Sequence, residues 1–549
     1  MTHAATIHDG GTILTMQPGA LQAEAIAVDG DGRVMAVGPS HEIAALAGPG
    51  TRRESLGGAF VMPGLVESHT HALWGACRDL FEVYVGYAAS TEGLAQAVQT
   101  RAAALPAGTW ITGGPWRLDM RDGLGMTPRD WLDRIAPAHP VALSDTTQHA
   151  MWANSAALAA AGIDAHSPDI PGGVIERDAT GAPTGFLAEA GCAPLRRLTA
   201  WTPNQLSQAC DYATRYLNSL GYTAFKEPMA DEATLAAYAD AVDTGRMSLH
   251  VAAHITAYSP LTEAVVPPDE IARLRARYAR PGLRLDYGKL FLDGVAPAYT
   301  ASFLAPYLPK PGYDPATHDP DATLLLPPEV LNATVTALDA LGFCVKMHAV
   351  GDNAVRKGLD AIAAARAANG SGGPRHEIAH STFVDDADLP RFADLDAVAE
   401  VSPKLWMPNA GTAAQRAVLG AERLDQVHRI RSLLAAGAEV IFGTDWPASA
   451  PDANPWTGLA GMISRTDPTG RYPGAVAPAQ AIPLDDALPL FTVNGAKAMG
   501  MTGQTGVLAA GAWADFIVLD RDIRPSTAEE IGAVTVRRTV HKGQTVYEA

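Results

Sequence analysis

The chain has 549 residues and sets 41 Lys and Arg against 59 Asp and Glu, a formal charge of −18 with a pI near 5.3. A field of that sign repels phosphate backbones and anionic lipid surfaces, which makes nucleic acid and membranes poor partners. Hydrophobic residues at 47% suffice for a large core in at least two folding units, while Cys77, Cys192, Cys210 and Cys344 are too scattered for a zinc knuckle or a redox motif.

The opening residues hold no basic stretch followed by a long apolar run, so a cytoplasmic location is the default expectation. Ala25 to Val28 and Arg33 to Val37, separated by the turn signal Asp29-Gly30-Asp31-Gly32, predict short strands. Trp513 to Leu519 and Thr535 to Tyr547 repeat that style, so residues 1–60 and 500–549 are expected to form one composite β-sandwich domain. Val61 to Leu65 reads as the first strand of the part between them. Residues 75–201, too long for a βα loop of roughly 2–6 residues, are expected to form a lid insertion. That stretch holds Trp110, Trp116, Trp131 and Trp152. From Thr202 onward strands alternate with amphipathic helices. Thr202 can cap a helix that has Pro203 at its first position and stops at Gly221. Strands are then predicted at Tyr222 to Glu227, His250 to Ile255, Leu285 to Leu292, Phe343 to Val350, His376 to Phe383, Ala397 to Ser402 and Glu439 to Asp445. With the first, these complete an α/β fold, a TIM-like (β/α)8 barrel over residues 61–499. Such a barrel carries its functional residues at the C-terminal ends of the strands.

Pro63-Gly64-Leu65-Val66-Glu67-Ser68-His69-Thr70-His71 is the strongest local signal. Residues two apart on an extended chain project to one side, so His69 and His71 can offer both imidazoles to one ion. His348, His380 and Asp445 end later apolar strands in the same way. Singly, each reads as a hydrogen-bonded strand end; together, nitrogen and carboxylate donors converging on one rim suit zinc. Lys289 lies inside an apolar strand where a free ammonium is costly. Two readings stay open for it: a carbamate formed with CO2, able to bridge two ions, or a lysine paired with Asp293 or Asp286.

These motifs resemble the amidohydrolase superfamily, and specifically its amidohydrolase 3 branch, which includes N-substituted formamide deformylases. The phrases His139-Pro140-Val141-Ala142-Leu143, Trp152 to Leu158 and Pro183 to Glu189 add to the likeness, which covers essentially the whole chain. The resemblance implies that His69, His71, His348 and His380 are metal ligands, that Lys289 is a ligand, often carboxylated, and that Asp445 is both ligand and catalytic acid–base. Two stretches depart from the branch. Val295-Ala296-Pro297-Ala298-Tyr299-Thr300-Ala301 replaces the usual Ser-Leu-Gly-Ser-Arg-Thr-Ala, and Thr147-Gln148-His149 replaces Asp-Gly-His. Both lie toward the expected substrate side.

The expected activity is hydrolysis of a C–N amide-type bond, such as an N-acyl or N-formyl amine, by water activated on one or two divalent ions, Zn2+ first among them. Hydrolytic deamination or cyclic-amide opening on the same site, a non-catalytic regulatory protein, and a cysteine-nucleophile hydrolase are the competing readings. Trp74, Trp406 and Trp446 flank the metal-bearing segments and, with His149, are expected substrate contacts, with Trp116 and Trp152 closing over them from the insertion. The expected partner is a small, hydrophobic or aromatic molecule, with a homodimer left open. Asp352 is expected to cap the helix after the fifth strand.

Overall fold

The computed structural model describes residues 3–86, 89–146, 150–168, 170, 172–260, 262, 264–402, 406–448 and 450–549. They divide into two compact units, one of Met1–Ala72 with Cys210–Ala549 and one of Leu73–Ala209.

In the first unit eight parallel strands run in consecutive order: β1 (Leu65–Glu67), β2 (Tyr222–Ala230), β3 (His250–Thr256), β4 (Leu283–Phe291), β5 (Cys344–Ala349), β6 (Glu377–His380), β7 (Val398–Val401) and β8 (Glu439–Phe442). The ring is nearly closed. Ser68, just past β1, donates its N–H to the Phe442 carbonyl of β8 at 2.9 Å, and Gly443 donates to Val401 of β7 at 3.0 Å. The strands are apolar because helices cover their outer side. Those helices begin where the sequence supplies caps: Thr202 Oγ1 accepts the Gln205 N–H ahead of Pro203–Ser219, and Asp231 accepts the Thr234 N–H ahead of Glu232–Asp243.

The first strand starts later than the sequence pattern suggests. Phe60–Pro63 pairs with Phe516–Leu519 and Thr12–Leu14 in a six-stranded sheet, and only after Gly64 does Leu65–Glu67 join the barrel. One apolar run thus serves two sheets. Gly64 permits the switch, since a Cβ there would lie 2.2 Å from Thr223 Oγ1. The six-stranded sheet and a four-stranded one, ordered Val34–Gly38, Ala25–Val28, Thr6–Asp9, Arg52–Ser55, draw on both chain ends. They share a buried cluster that includes Ile13, Ile26, Val34, Val61, Phe516 and Val540. At the start of β3, His250 Nε2–H donates to Asp515 at 2.8 Å, and the same carboxylate accepts Thr505 Oγ1–H and the Lys542 N–H, each at 2.7 Å. His541 Nδ1 lies 3.3 Å from it. With its carboxylate filled by these donors, Asp515 forms the centre of a hydrogen-bonded clasp at the end of the barrel opposite the rim.

The second unit is built on a six-stranded mixed sheet running from Gly173–Arg177 to Val83–Tyr84. Trp116 and Trp152, expected from sequence to face substrate, stack on each other at 4.3 Å and are fully buried in this unit's own core with Leu94, Val98 and Leu132. Large flat rings bury too much apolar area to be left out of so small a core. Among the described residues no helix is long and apolar enough to cross a membrane.

The closeness of β1 and β8 yields a test. A Cβ on Gly443 would fall 2.3 Å from His69 Cβ and 2.6 Å from its backbone N. Gly443→Ala is expected to lower the urea-unfolding free energy by about 1–3 kcal/mol through overpacking. Gly372→Ala, with nothing within 4 Å and no left-handed φ, should leave it within about 0.5 kcal/mol; equal effects would contradict the seam.

Candidate metal centre

Where β1 and β8 end, the backbone crosses between them. Asp445 N–H donates to the His69 carbonyl at 2.7 Å and His71 N–H to the Trp446 carbonyl at 2.8 Å. Beneath these bonds the buried Glu67 carboxyl accepts the N–H groups of His69 and Thr444, both at 2.9 Å. The alternation of an extended chain then turns His69 and His71 the same way. Their Nε2 atoms lie 3.5 and 3.4 Å from Asp445 Oδ1.

The ends of β5 and β6 complete the group. The His380 ring lies 4.8 Å from that of His69 and 4.6 Å from that of His348, and His348 stacks on Phe291 at 5.0 Å. His380, Ser381 and Asp445 hold φ values of 68°, 39° and 55°, a left-handed backbone that L residues seldom adopt. Two of the three are expected ligands, as is usual for strained positions at functional sites. Lys289 on β4 is fully buried, and its Nζ has no hydrogen-bond partner among the described residues. It pairs with neither carboxylate considered from sequence. Asp286 faces Arg275, and Asp293 accepts the backbone N–H groups of Ser302, Val350 and Gly351 at 2.8–3.0 Å.

Burial dominates the electrostatics. It holds His69, His380 and His348 neutral, the last at about 4, with the Lys289 charge adding to the effect at each. Burial likewise opposes charge on His71, but Asp445 and Glu227 outweigh it and raise that pKa. Burial would raise Asp445, yet the hydrogen bond from His71 and the neighbouring imidazoles hold its carboxyl below the usual carboxylate range. Desolvation and the nearby Lys346 push Lys289 down to about 7. Ligand atoms of His69, His71 and Asp445 lie within 4.8 Å of one another, as do those of His69, His380 and Glu400. The neutral imidazoles of His69, His348 and His380, the His71 ring and the ionised Asp445 carboxylate are a donor set suited to a divalent ion of the zinc type.

Trp406 and Trp446 are fully buried, the latter 5.0 Å from the Tyr216 ring. Trp74 is half-buried on the helix Ala72–Phe81, and His149 lies outside the described residues. Asp352 opens the helix Asp352–Asn369, but its carboxylate accepts the Leu304 N–H at 2.7 Å and so ties down a loop. Sequence reasoning missed Glu67, Glu227, Lys226, Lys346, Glu377 and Glu400, all buried around the site's base. Their signal was a charge inside an apolar strand, as in Val398-Ala399-Glu400-Val401, which only Lys289 was given credit for.

A sequence profile described as the Amidohydrolase family matches residues 54–547. The chain is 28% identical to Protein LONG AFTER FAR-RED 3 of Arabidopsis thaliana over 98% of its own length and 90% of that protein. It is 28% identical to the N-substituted formamide deformylase of Arthrobacter pascens over 96% of this chain and 95% of the other. A crystal structure of an uncharacterized metal-dependent hydrolase from Pyrococcus horikoshii superposes with a TM-score of 0.75 at 24% identity, covering 95% of this chain and 99% of that one.

Buried neutral histidines outside the ligand set make stability depend on acid. Burial pushes His254 and His428 to about 3 and His376 to about 4, against 6.5 when exposed. The unfolded chain therefore binds protons that the folded one refuses, and stability falls as pH drops from 6.5 toward 4. Each such residue adds a slope of at most about 1.4 kcal/mol per pH unit. Urea unfolding at pH 7, 5.5 and 4.5 should show the decline, and His376→Gln should make it shallower; a flat profile contradicts the assignment.

Proposed function

The chain belongs to the amidohydrolase family, and from that premise we propose that it is a metal-dependent hydrolase cleaving the C–N amide-type bond of a small, hydrophobic N-acyl or N-formyl amine. The observation that carries this reading is the gathering of His69, His71, His348, His380, Lys289 and Asp445 at one end of the barrel, with Nε2 of two histidines within 3.5 Å of one carboxylate oxygen. The likeness to a named formamide deformylase along nearly its full length supports the bond class.

The residues fit a divalent ion, for which zinc is the proposed identity. His69, His348 and His380 would hold it through neutral imidazole nitrogens, His71 through a ring nitrogen that gives up the proton Asp445 and Glu227 favour, and Asp445 through a carboxylate oxygen. The Lys289 amine, buried and without a hydrogen-bond partner among the described residues, is readily neutral at about 7. Its lone pair can attack CO2, releasing one proton and leaving a carbamate whose oxygens would be available to hold the ion. When bound, the ion supplies Lewis-acid chemistry that acidifies water and polarises a carbonyl oxygen. Asp445, kept ionised by its imidazole neighbours, accepts a proton from the attacking water on its carboxylate. It then returns that proton to the nitrogen as the C–N bond breaks, releasing an amine and a carboxylic acid. Trp406 and Trp446 are proposed to shape the substrate side within the barrel unit.

Three outcomes test this reading. Purified protein should contain a divalent metal that chelation removes together with activity, and His71→Ala should lose most of both. Asp445→Asn should keep the fold yet lose roughly 10²–10⁴-fold in kcat, because an amide cannot relay the proton; near-normal turnover would remove Asp445 from the role. Across N-formyl amines from methyl to benzyl, kcat/KM should rise with apolar size, and a preference for charged substituents would refute the hydrophobic substrate class.

A further inference from the structure

We propose that Glu400 on β7, together with Ser402, is a positioning residue that presents Nε2 of both His69 and His380 to the metal, an inference that rests on the hydrolase reading above. A histidine binds a metal only through a nitrogen that carries no proton, so the partner of its other ring nitrogen decides which atom is offered. Glu400 is fully buried, and one of its oxygens, Oε2, lies 2.5 Å from His69 Nδ1. A carboxylate there accepts the Nδ1–H and leaves the lone pair on Nε2, the atom that faces Asp445 at 3.5 Å. The same Oε2 accepts the His380 backbone N–H at 3.2 Å, which fixes the turn carrying that second ligand.

Ser402 extends the control to the His380 ring. Its hydroxyl donates to Glu400 Oε1 at 3.2 Å, and its oxygen lies 3.0 Å from His380 Nδ1. With the hydroxyl hydrogen committed to the carboxylate, the serine oxygen can only accept, so His380 also carries its proton on Nδ1 and turns Nε2 outward. One buried carboxylate thereby sets the tautomer of a ligand from β1 and of another from β6. The competing role is ligation by Glu400 itself, since an oxygen of this carboxylate lies within 4.8 Å of ligand atoms on both histidines. Its two oxygens, however, are engaged by His69, His380 and Ser402, as expected of a group that orients ligands.

The test measures metal binding by the full-length protein, using Zn2+ affinity in competition with a chromophoric chelator and the visible spectrum after Co2+ loading. Glu400→Gln keeps an acceptor oxygen but loses the charge. It should bind as many ions as the wild type with roughly 10–100-fold weaker affinity, and its Co2+ spectrum should shift. Ser402→Ala should weaken binding less, and Glu400→Ala more than Glu400→Gln. If the alanine variant at 400 fails to fold, the other two carry the test. Wild-type affinity and an unchanged spectrum in Glu400→Gln and Ser402→Ala would overturn the proposal. Loss of a whole equivalent of metal in Glu400→Gln would also overturn it, by making Glu400 a ligand. A wild-type protein that takes up neither ion would overturn the hydrolase reading, and this inference with it.

Discussion

The seam between the first and last barrel strands is the contact on which the candidate site depends. At Gly443 the two backbones approach so closely that a single methyl group would meet His69. Across the seam run the bonds from Ser68 to Phe442, Asp445 to His69 and His71 to Trp446. Residues more than 370 positions apart are held in register this way, with Glu67 accepting one N–H from each side. Burial pushes the Glu67 carboxyl up to about 8, and these two backbone donors oppose that rise. An unpaired polar group at such depth is costly, so the hydrogen bonds favour the closed arrangement over any splayed one.

Below the rim the barrel interior is charged rather than uniformly apolar. Lys226 pairs with Glu377 and also donates to the Ala498 carbonyl, while Lys346 donates to the Ser68 carbonyl at 2.6 Å and lies 3.2 Å from Glu377. His254 lies 2.9 Å from the Glu227 carbonyl through Nδ1. Burying ions is expensive, and an apolar filling of the same volume would often be as stable. What the ions add is direction. Lys346 ties β5 to the residue just before His69, and Glu227 sits 3.6 Å from His71 Nδ1. This floor fixes the strand ends from beneath while Glu400 and Ser402 hold the rings from the side.

The opposite end of the barrel is pinned as well. His250, at the start of β3, shares Asp515 with Thr505 and Lys542, so the C-terminal strands are tied to the barrel by hydrogen bonds to a carboxylate held below the usual range by its histidine neighbours despite burial. Charged hydrogen bonds of this kind are stronger than neutral ones. The arrangement of Phe60–Pro63 within the terminal six-stranded sheet, one glycine before β1, carries that anchoring straight into the seam.

The strands from Tyr222 onward, and the strand-end positions of His69, His71, His348, His380 and Asp445, could be read from the sequence because each is a local pattern. An apolar run sets the strand, and a polar residue at its end marks where the run stops. Residue spacing likewise put His69 and His71 on one side of the chain. Only the tertiary structure decided where β1 begins, since Val61-Met62-Pro63 looks the same whether it pairs within the barrel or with Phe516–Leu519. Only it showed that Lys289 has no hydrogen-bonded carboxylate among the described residues, that Trp116 and Trp152 are spent on a core of their own, and that Glu400 meets His69 across 331 positions of chain. The division follows from physics. Periodicity and strand ends arise from the backbone geometry of neighbouring residues, whereas a buried charge finds its partner through barrel closure, which no local segment encodes.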